Sequence, residues 1–196
     1  MSGRNAYFSK YELIAAWQCQ KRFYLGKHEP ELAEDSDGRQ GVFDVGHRVG
    51  KMAQDKYGAK NSVEIPYNDD PNVMLKDTDD LLKGGIHSPI FGASFEHEGV
   101  LIRADVMIPD GDDWHVIEVT SGASVNDVNK FDAAIQLWVL RSAGLWIKTI
   151  SLAYIDKQFK YQGDGDYGGL IKKHDVTEIA ERLQDQVSAL VATSGV

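Results

Sequence analysis

Three apolar-rich runs, Ile90–His97, Val100–Ile108 and Trp114–Thr120, follow one another with only turns between them. Connections that short cannot cross over a sheet, so the runs must pair antiparallel, as a meander. Glu98-Gly99 and Asp110-Gly111 supply the turn residues. A helical pattern over about Asn126 to Ala143, ended by Gly144, and a fourth β-branched run, Ile150–Asp156, come next. The expected core is therefore βββ, then α, then β, in an α/β fold.

The flanks read as helices. Ser9 and Glu12 make an S-x-x-E capping box ahead of Leu13, Ile14 and Trp17. Glu29–Asp37 reads as a loop. A second helix over about Gly38 to Tyr57 carries Val42, Val45, Val49, Met52 and Ala53 at helical spacing. A third begins after Asp70-Pro71 and stops at Gly84-Gly85. Gln162 to Gly169 is a glycine- and aspartate-rich loop. The last helix is expected to open at Asp175 and Glu178 and to turn Val176, Ile179, Leu183, Val187 and Leu190 inward. The chain of 196 residues suits a single domain, with a helical part over 1–85, the sheet core over 86–160 and a loop with terminal helix over 161–196.

Composition narrows the class. Apolar residues at 42% and charged residues at 26% are ordinary for a globular protein. A run of about eighteen apolar residues, which a membrane span would need, is missing, and Met1 to Tyr7 lacks the apolar stretch of a secretory signal. One cysteine, Cys19, excludes an intrachain disulfide and fits a cytoplasmic setting. The net charge of −9 argues against a non-specific nucleic-acid binder, whose affinity comes from Lys and Arg on phosphate. It leaves room for local binding through a cation and a few basic residues.

Two carboxylates stand out in the meander. With a period of two, Arg103, Asp105 and Met107 share one face of the second strand, and Ile102, Ala104, Val106 and Ile108 the other, core-like face. In the third strand Glu118 and Thr120 share a face. Carboxylates on adjacent buried strands repel and are costly to desolvate. A hard divalent cation, Mg²⁺ or Mn²⁺, relieves both costs. The following helix adds Asn129, Asp132 and Gln136 as a polar stripe, with Phe131, Ile135, Trp138 and Val139 on its apolar side.

The run "IRADVMIPDGDDWHVIEVTSGASV" followed by "FDAAIQLWVL" resembles the core of the PD-(D/E)XK nucleases, in the RecB-type and CRISPR-adaptation branch. It is closer still to a bacterial family whose nuclease-like N-terminal half precedes an RNase H-like half. "YFSKYELIAAWQCQKRFYL", "GVFDVGHRVGKMA" and "HDVTEIAERLQDQVSAL" extend the likeness over nearly the whole chain. The resemblance implies a restriction-endonuclease-like fold. It also implies a metal site of His47, Asp105, Glu118 and the Val119 carbonyl, with Gln136 as the glutamine of the helix motif. DNA, single-stranded or at ends, is the implied substrate, and a C-terminal domain or partner protein is an implied companion.

Two departures matter. The family motif reads E-x-K, whereas this chain has Glu118-Val119-Thr120, so the catalytic position falls to an uncharged Thr120. A cation from elsewhere could substitute; Arg103 shares the metal face, and Lys130 lies on the right helix but about 100° round from Asn129. Arg103 and Lys130 are also the expected phosphate contacts. Relatives often carry an iron–sulfur cluster, and Cys19 alone cannot build one. Bland readings cover the remaining features: Glu96-His97-Glu98 as a solvated hairpin tip, His115 as a surface residue, Lys21-Arg22 as a helix end, and Cys19 as a small buried hydrophobe. Two functions stay open, a metal-dependent deoxyribonuclease using metal-activated water, or an inactive nuclease fold that binds nucleic acid or a protein.

Overall fold

The structure is a computed structural model that describes residues 7–32 and 39–194; for 39–45 and 47 only the backbone is described. In chain order the elements begin with β1 (Phe8–Ser9), α1 (Lys10–Gln18), α2 (Gln20–His28), α3 (Arg39–Tyr57), β2 (Val63–Glu64) and α4 (Pro71–Lys83). The meander follows as β3 (Ile90–His97), β4 (Val100–Asp110) and β5 (Asp113–Val119). Then come α5 (Asp127–Ser142), β6 (Ile147–Ile155), β7 (Ile171–Asp175), α6 (Thr177–Arg182) and α7 (Gln184–Thr193).

The strands form one sheet in the order β2-β3-β4-β5-β6-β7, with β1 added beside β4. The β3–β4 and β4–β5 pairs are antiparallel, as the short turns require, and Glu98, Gly99 and Gly111 turn the chain at positive φ. The β5–β6 pair is parallel, because α5 carries the chain back across one face. This is a mixed α/β fold with helices on both faces. On one side Leu13 and Ile14 of α1, Phe131 and Ile135 of α5 and Val187 of α7 pack on Ile102, Ala104 and Val116. On the other, Val49 and Ala53 of α3 pack on Phe91, Val106, Ile117 and Ala153. Trp17 stacks on Phe131 with ring centroids 4.4 Å apart, which seats α1 against α5. Among the described residues, no helix is long and apolar enough to cross a membrane.

Several expectations need correction. Strand β7 replaces the expected entry into the last helix. Only Ile171 of its five residues is buried, so an edge strand of this kind lacks the apolar alternation that marks strands in sequence. Asp175 is its last residue, and its carboxylate accepts the Thr177 amide at 2.8 Å instead of capping a helix from within. The terminal helix is also divided at Leu183, and the first helix breaks at Cys19, whose backbone is extended. Cys19 is exposed, not buried. The expected loop after Glu29 contains a 3-10 turn, Pro30–Leu32.

The faces of β4 differ most from a simple alternation. Ile102 and Ala104 face the α5 side, as does Met107, but Val106 and Ile108 face α3. Its partner β3 switches in step, with Ile90, Ala93 and Phe95 on the α5 side and Phe91 on the other. The register is continuous across the switch (Phe91 with Val106, Ala93 with Ala104), so Gly92 lies opposite Asp105. Gly92 has φ +72°, in the left-handed region that glycine enters freely. A two-strand twist centred on Gly92 and Asp105 thus changes the parity of both strands.

Candidate functional site

Strand β4 has two different neighbours on one edge. Strand β5 pairs with it from Asp110 down to Val106, and β1 pairs with it at Val100 and Leu101. Between these contacts β4 has a gap, and Asp105 stands in it. The Val119 amide donates to Asp105 Oδ2 at 2.7 Å instead of continuing the ladder. Because β5 is antiparallel to β4 and β1 is parallel, the end of β5 and the end of β1 run toward the gap from opposite sides. Glu118 arrives on one and Lys10, the first residue after β1, on the other.

Those two residues meet. Lys10 Nζ lies 2.5 Å from Glu118 Oε1 and 3.1 Å from Asp132 Oδ1. Gln136 Nε2 donates to Glu118 Oε2 at 2.7 Å and to Asp132 Oδ1 at 3.0 Å. All four side chains are buried, Gln136 completely. The Ser9–Glu12 capping box holds the turn that presents Lys10, with both reciprocal bonds formed. The spacing Lys10, Leu13, Ile14, Trp17 puts the ammonium on the apolar face of α1. The opposing α5 helix supplies Asp132 and Gln136 one turn apart.

The charges do not balance. Asp105, Glu118 and Asp132 bring three carboxyls to one ammonium. Burial, then the negative charge of Asp105, pushes the Glu118 carboxyl up to about 7, although Lys10 and Gln136 oppose this. Burial, then Glu118, lifts Asp132 to about 6. Asp105 is also raised by burial of its carboxyl, against the pull of Lys10 and of the Val119 amide. For Lys10, burial favours loss of the proton, but Glu118, Asp132 and Asp105 outweigh it and hold the ammonium well above its ordinary range. Lys10 is therefore a permanent cation at neutral pH, and the surplus negative charge must be met by protons or by a second cation.

Gln136 records the same tension. Its Oε1 is buried with no hydrogen-bond partner among the described residues. Such an orphan acceptor costs about 1–3 kcal/mol. Turning the amide over would set Oε1 against two carboxylates, which is tolerable only with a proton on one of them.

On the α3 side, Asp105 opens into a groove of about 380 Å³ with Arg103, Gln54, Glu64, Lys51 and Val119. Gly46 and Gly50, one turn apart on α3, line it, and a β-carbon at either would meet nothing within 4 Å. The missing side chains are what leave the groove open.

Of the residues singled out from the sequence, Asp105, Glu118, Val119 and Gln136 lie together. Thr120 lies just past β5, where its hydroxyl accepts the Gly122 amide at 3.1 Å in a local turn. Asn129 belongs to the α5 capping box with Asn126 and not to the carboxyl cluster. Arg103 donates to the Ile65 carbonyl at 2.9 Å, and Lys130 pairs with Asp127 at 2.8 Å. Neither is the cation on Glu118. His47 lies on α3, but its side chain is outside the described residues. Sequence reasoning missed Lys10, although its place at the head of the Lys10-Leu13-Ile14-Trp17 stripe marks it as inward-facing.

Asp105 and Glu118 suit a hard divalent cation. They are adjacent oxygen donors, and Lys10 alone answers the three carboxyls gathered there. Among the described residues, no three His, Cys, Asp or Glu side chains gather in metal-ligand geometry. Asp132 and Glu118 are turned onto Lys10 and Gln136 instead. Any further ligand would come from the Val119 carbonyl, water or substrate.

No family model and no curated protein matches this chain. Among solved structures it is similar to the one described as "Crystal structure of SSO0001", at 15% identity and a TM-score of 0.46, over 97% of this chain and 79% of that one.

Proposed function

We propose that this chain is a restriction-endonuclease-like domain that hydrolyses DNA phosphodiesters with one Mg²⁺ or Mn²⁺ held by Asp105 and Glu118. The observation that carries this reading is the surplus of buried negative charge at the β4–β5 gap. A purely structural core would favour apolar residues there, since replacing buried ion clusters with well-packed hydrophobes is often neutral or stabilising. The element order β3-β4-β5-α5-β6 and the meeting of Asp105, Glu118 and Gln136 agree with the resemblance to PD-(D/E)XK nucleases.

Bound there, a divalent cation would activate water and offset phosphoryl charge. The chain's own residues do the remaining work. Asp105 and Glu118 provide the anionic oxygens, Gln136 fixes the Glu118 rotamer, and the groove beneath Gly46 and Gly50 gives access to Asp105. Arg103 and Lys51, on the wall of that groove, are the basic residues available to a phosphate. A binding module without catalysis is the second reading. Thr120 supports it, as an uncharged residue engaged in a turn at the motif lysine position.

Calorimetric titration with Mn²⁺ tests the site, comparing wild type with Asp105→Ala, and labelled single- and double-stranded DNA tests the activity. We expect a saturable Mn²⁺ heat that Asp105→Ala loses, and Mn²⁺-dependent cleavage that Glu118→Ala loses. Equal heats from the two proteins would overturn the metal site. Metal binding without cleavage would favour the binding module.

A further inference from the structure

We propose that the loop between β6 and β7 is a base-stacking site, where Tyr161 and Tyr167 take an unpaired base of a nucleic-acid strand beside the β4–β5 gap. The inference rests on the nucleic-acid reading above and adds a contact made to bases instead of phosphate. Three observations carry it.

The first is where the loop stands. It begins directly after Ile155, whose amide donates to the Gly122 carbonyl at 3.0 Å, just beyond the end of β5 that carries Glu118 and Val119. Ile155 at one foot and Ile171 at the other pack in the same cluster as Val119, on the α3 side of the sheet. The groove to Asp105 opens on that side too. The feet of the loop are therefore at the same end and on the same face of the sheet as the site.

The second is construction. The Asp156 amide donates to the Leu170 carbonyl at 2.8 Å and closes the loop at its base. Within it, the Phe159 amide donates to the Asp156 carbonyl at 3.1 Å and the Leu170 amide to the Tyr167 carbonyl at 2.9 Å. A long loop with joined ends, held by its own bonds, is of the compact kind that often carries function. Phe159 and Leu170 are its half-buried apolar residues.

The third is what the loop leaves outside. Tyr161 and Tyr167 stack with ring centroids 5.0 Å apart and planes 17° from parallel, yet remain 52% and 48% exposed. The Tyr161 hydroxyl accepts the Gly165 amide at 2.8 Å, which fixes that ring from within the loop. Rings that served only to fill the loop would be covered by it. A held, open tyrosine offers a large contact surface at little entropic cost, and every base has a face to stack on it.

Charge decides the kind of contact. Between 156 and 170, Lys157 and Lys160 are set against Asp156, Asp164 and Asp166. Such a loop does not draw phosphates, so what it contributes is stacking. A base inside a duplex has both faces covered by its neighbours, so the occupant is a single strand.

The test is fluorescence anisotropy with a chelator present, so that no cleavage intervenes. The probes are an oligothymidylate of about sixteen nucleotides, an abasic strand of the same length, and a duplex. The proteins are wild type, Tyr161→Ala/Tyr167→Ala, Tyr161→Leu/Tyr167→Leu and Tyr161→Phe/Tyr167→Phe. Losing the stacking of one base weakens binding at least about fivefold. We expect that loss on oligothymidylate in the alanine and leucine pairs, whereas the phenylalanine pair keeps its ring faces and binds like wild type. On the abasic strand and the duplex all four proteins should bind alike. The ratio of wild type to variant should hold between about 50 and 200 mM salt, because stacking releases no counterions.

The leucine pair keeps apolar bulk without an aromatic face, so it carries the comparison if the alanine pair melts early. Equal affinity of wild type and the leucine pair for oligothymidylate would overturn the proposal. An equal loss on the abasic strand would do so too, as would a wild type that binds no single strand. None of these outcomes reads cleavage, so each leaves the hydrolase reading to its own Mn²⁺ assay. Tyrosine-dependent binding by a protein that cleaves no DNA would keep the stacking site and count against the hydrolase.

Discussion

Raising the pH of the metal-free protein through neutrality should destabilise it, and Glu118 should be the main cause. Its carboxyl moves from an ordinary 4.5 to about 7 in the folded chain. A raised folded-state value means that the folded chain holds the proton more tightly than the unfolded one. The stabilisation from that proton is fully present below pH 4.5 and is lost as pH climbs to about 7. At 1.36 kcal/mol per tenfold in proton affinity, the whole window is worth about 3 kcal/mol. Urea unfolding followed by tryptophan fluorescence, with a chelator present at pH 5 and pH 8, reads most of it. Wild type should lose about 2–3 kcal/mol more than Glu118→Gln between those two pH values, since the amide cannot titrate. Saturating Mn²⁺ should shrink the fall, because a bound cation does the work of the proton. Parallel changes in wild type and Glu118→Gln would refute the account of the site as short of positive charge.

Gly92→Ala should destabilise by about 2 kcal/mol or more, because a β-carbon there combines left-handed strain with a clash. The new carbon would meet the Arg103 guanidinium carbon at 2.5 Å and the Ile65 carbonyl oxygen at 2.9 Å. Gly85→Ala, equally left-handed but in open space, should cost only about 1 kcal/mol in the same urea assay. Gly50→Leu should keep or raise the melting temperature, since it improves a helix, and yet reduce DNA cleavage by filling the groove over Asp105. Ser9→Ala should cost about 1 kcal/mol by removing the α1 cap, and its melting temperature should fall accordingly.

The sheet core was legible because its strongest signals are local. Two-residue turns at Glu98-Gly99 and Gly111-Asp112 force antiparallel neighbours, and the Ser9–Glu12 and Asp70–Pro71 helix starts rest on side chains that bond within a turn. Elements that depend on distant partners were not legible. Strand β7 exists because β6 offers an open edge, and its exposed lysines Lys172 and Lys173 carry no trace of that. The face change in β4 is set jointly with β3 at Gly92, so a strict alternation read from β4 alone puts Val106 and Ile108 on the wrong side. The site divides in the same way. Asp105 and Glu118 are anomalous within their own strands and announce themselves, whereas Thr120 draws the search for a cation to nearby positions on the same strands and helix.

Lys10 explains why that search fails. The residue that answers Glu118 is 108 positions away in sequence and enters through β1, a two-residue strand too short for any periodicity. What brings it there is a geometric necessity of the sheet. Strand β5 must leave β4 at Val106 for Asp105 to take the Val119 amide, and a strand edge left open inside a core exposes backbone groups that need partners. Strand β1 covers the far part of that edge at Val100 and Leu101. The chain then turns into α1 at the nearest position, which is residue 10. A side chain there faces the carboxyl cluster. A short apolar residue would leave three carboxyls with no cation, whereas a lysine reaches two of them. The same departure of β5 from β4 thus exposes Asp105 and seats Lys10, so changes that close the gap should disturb both together.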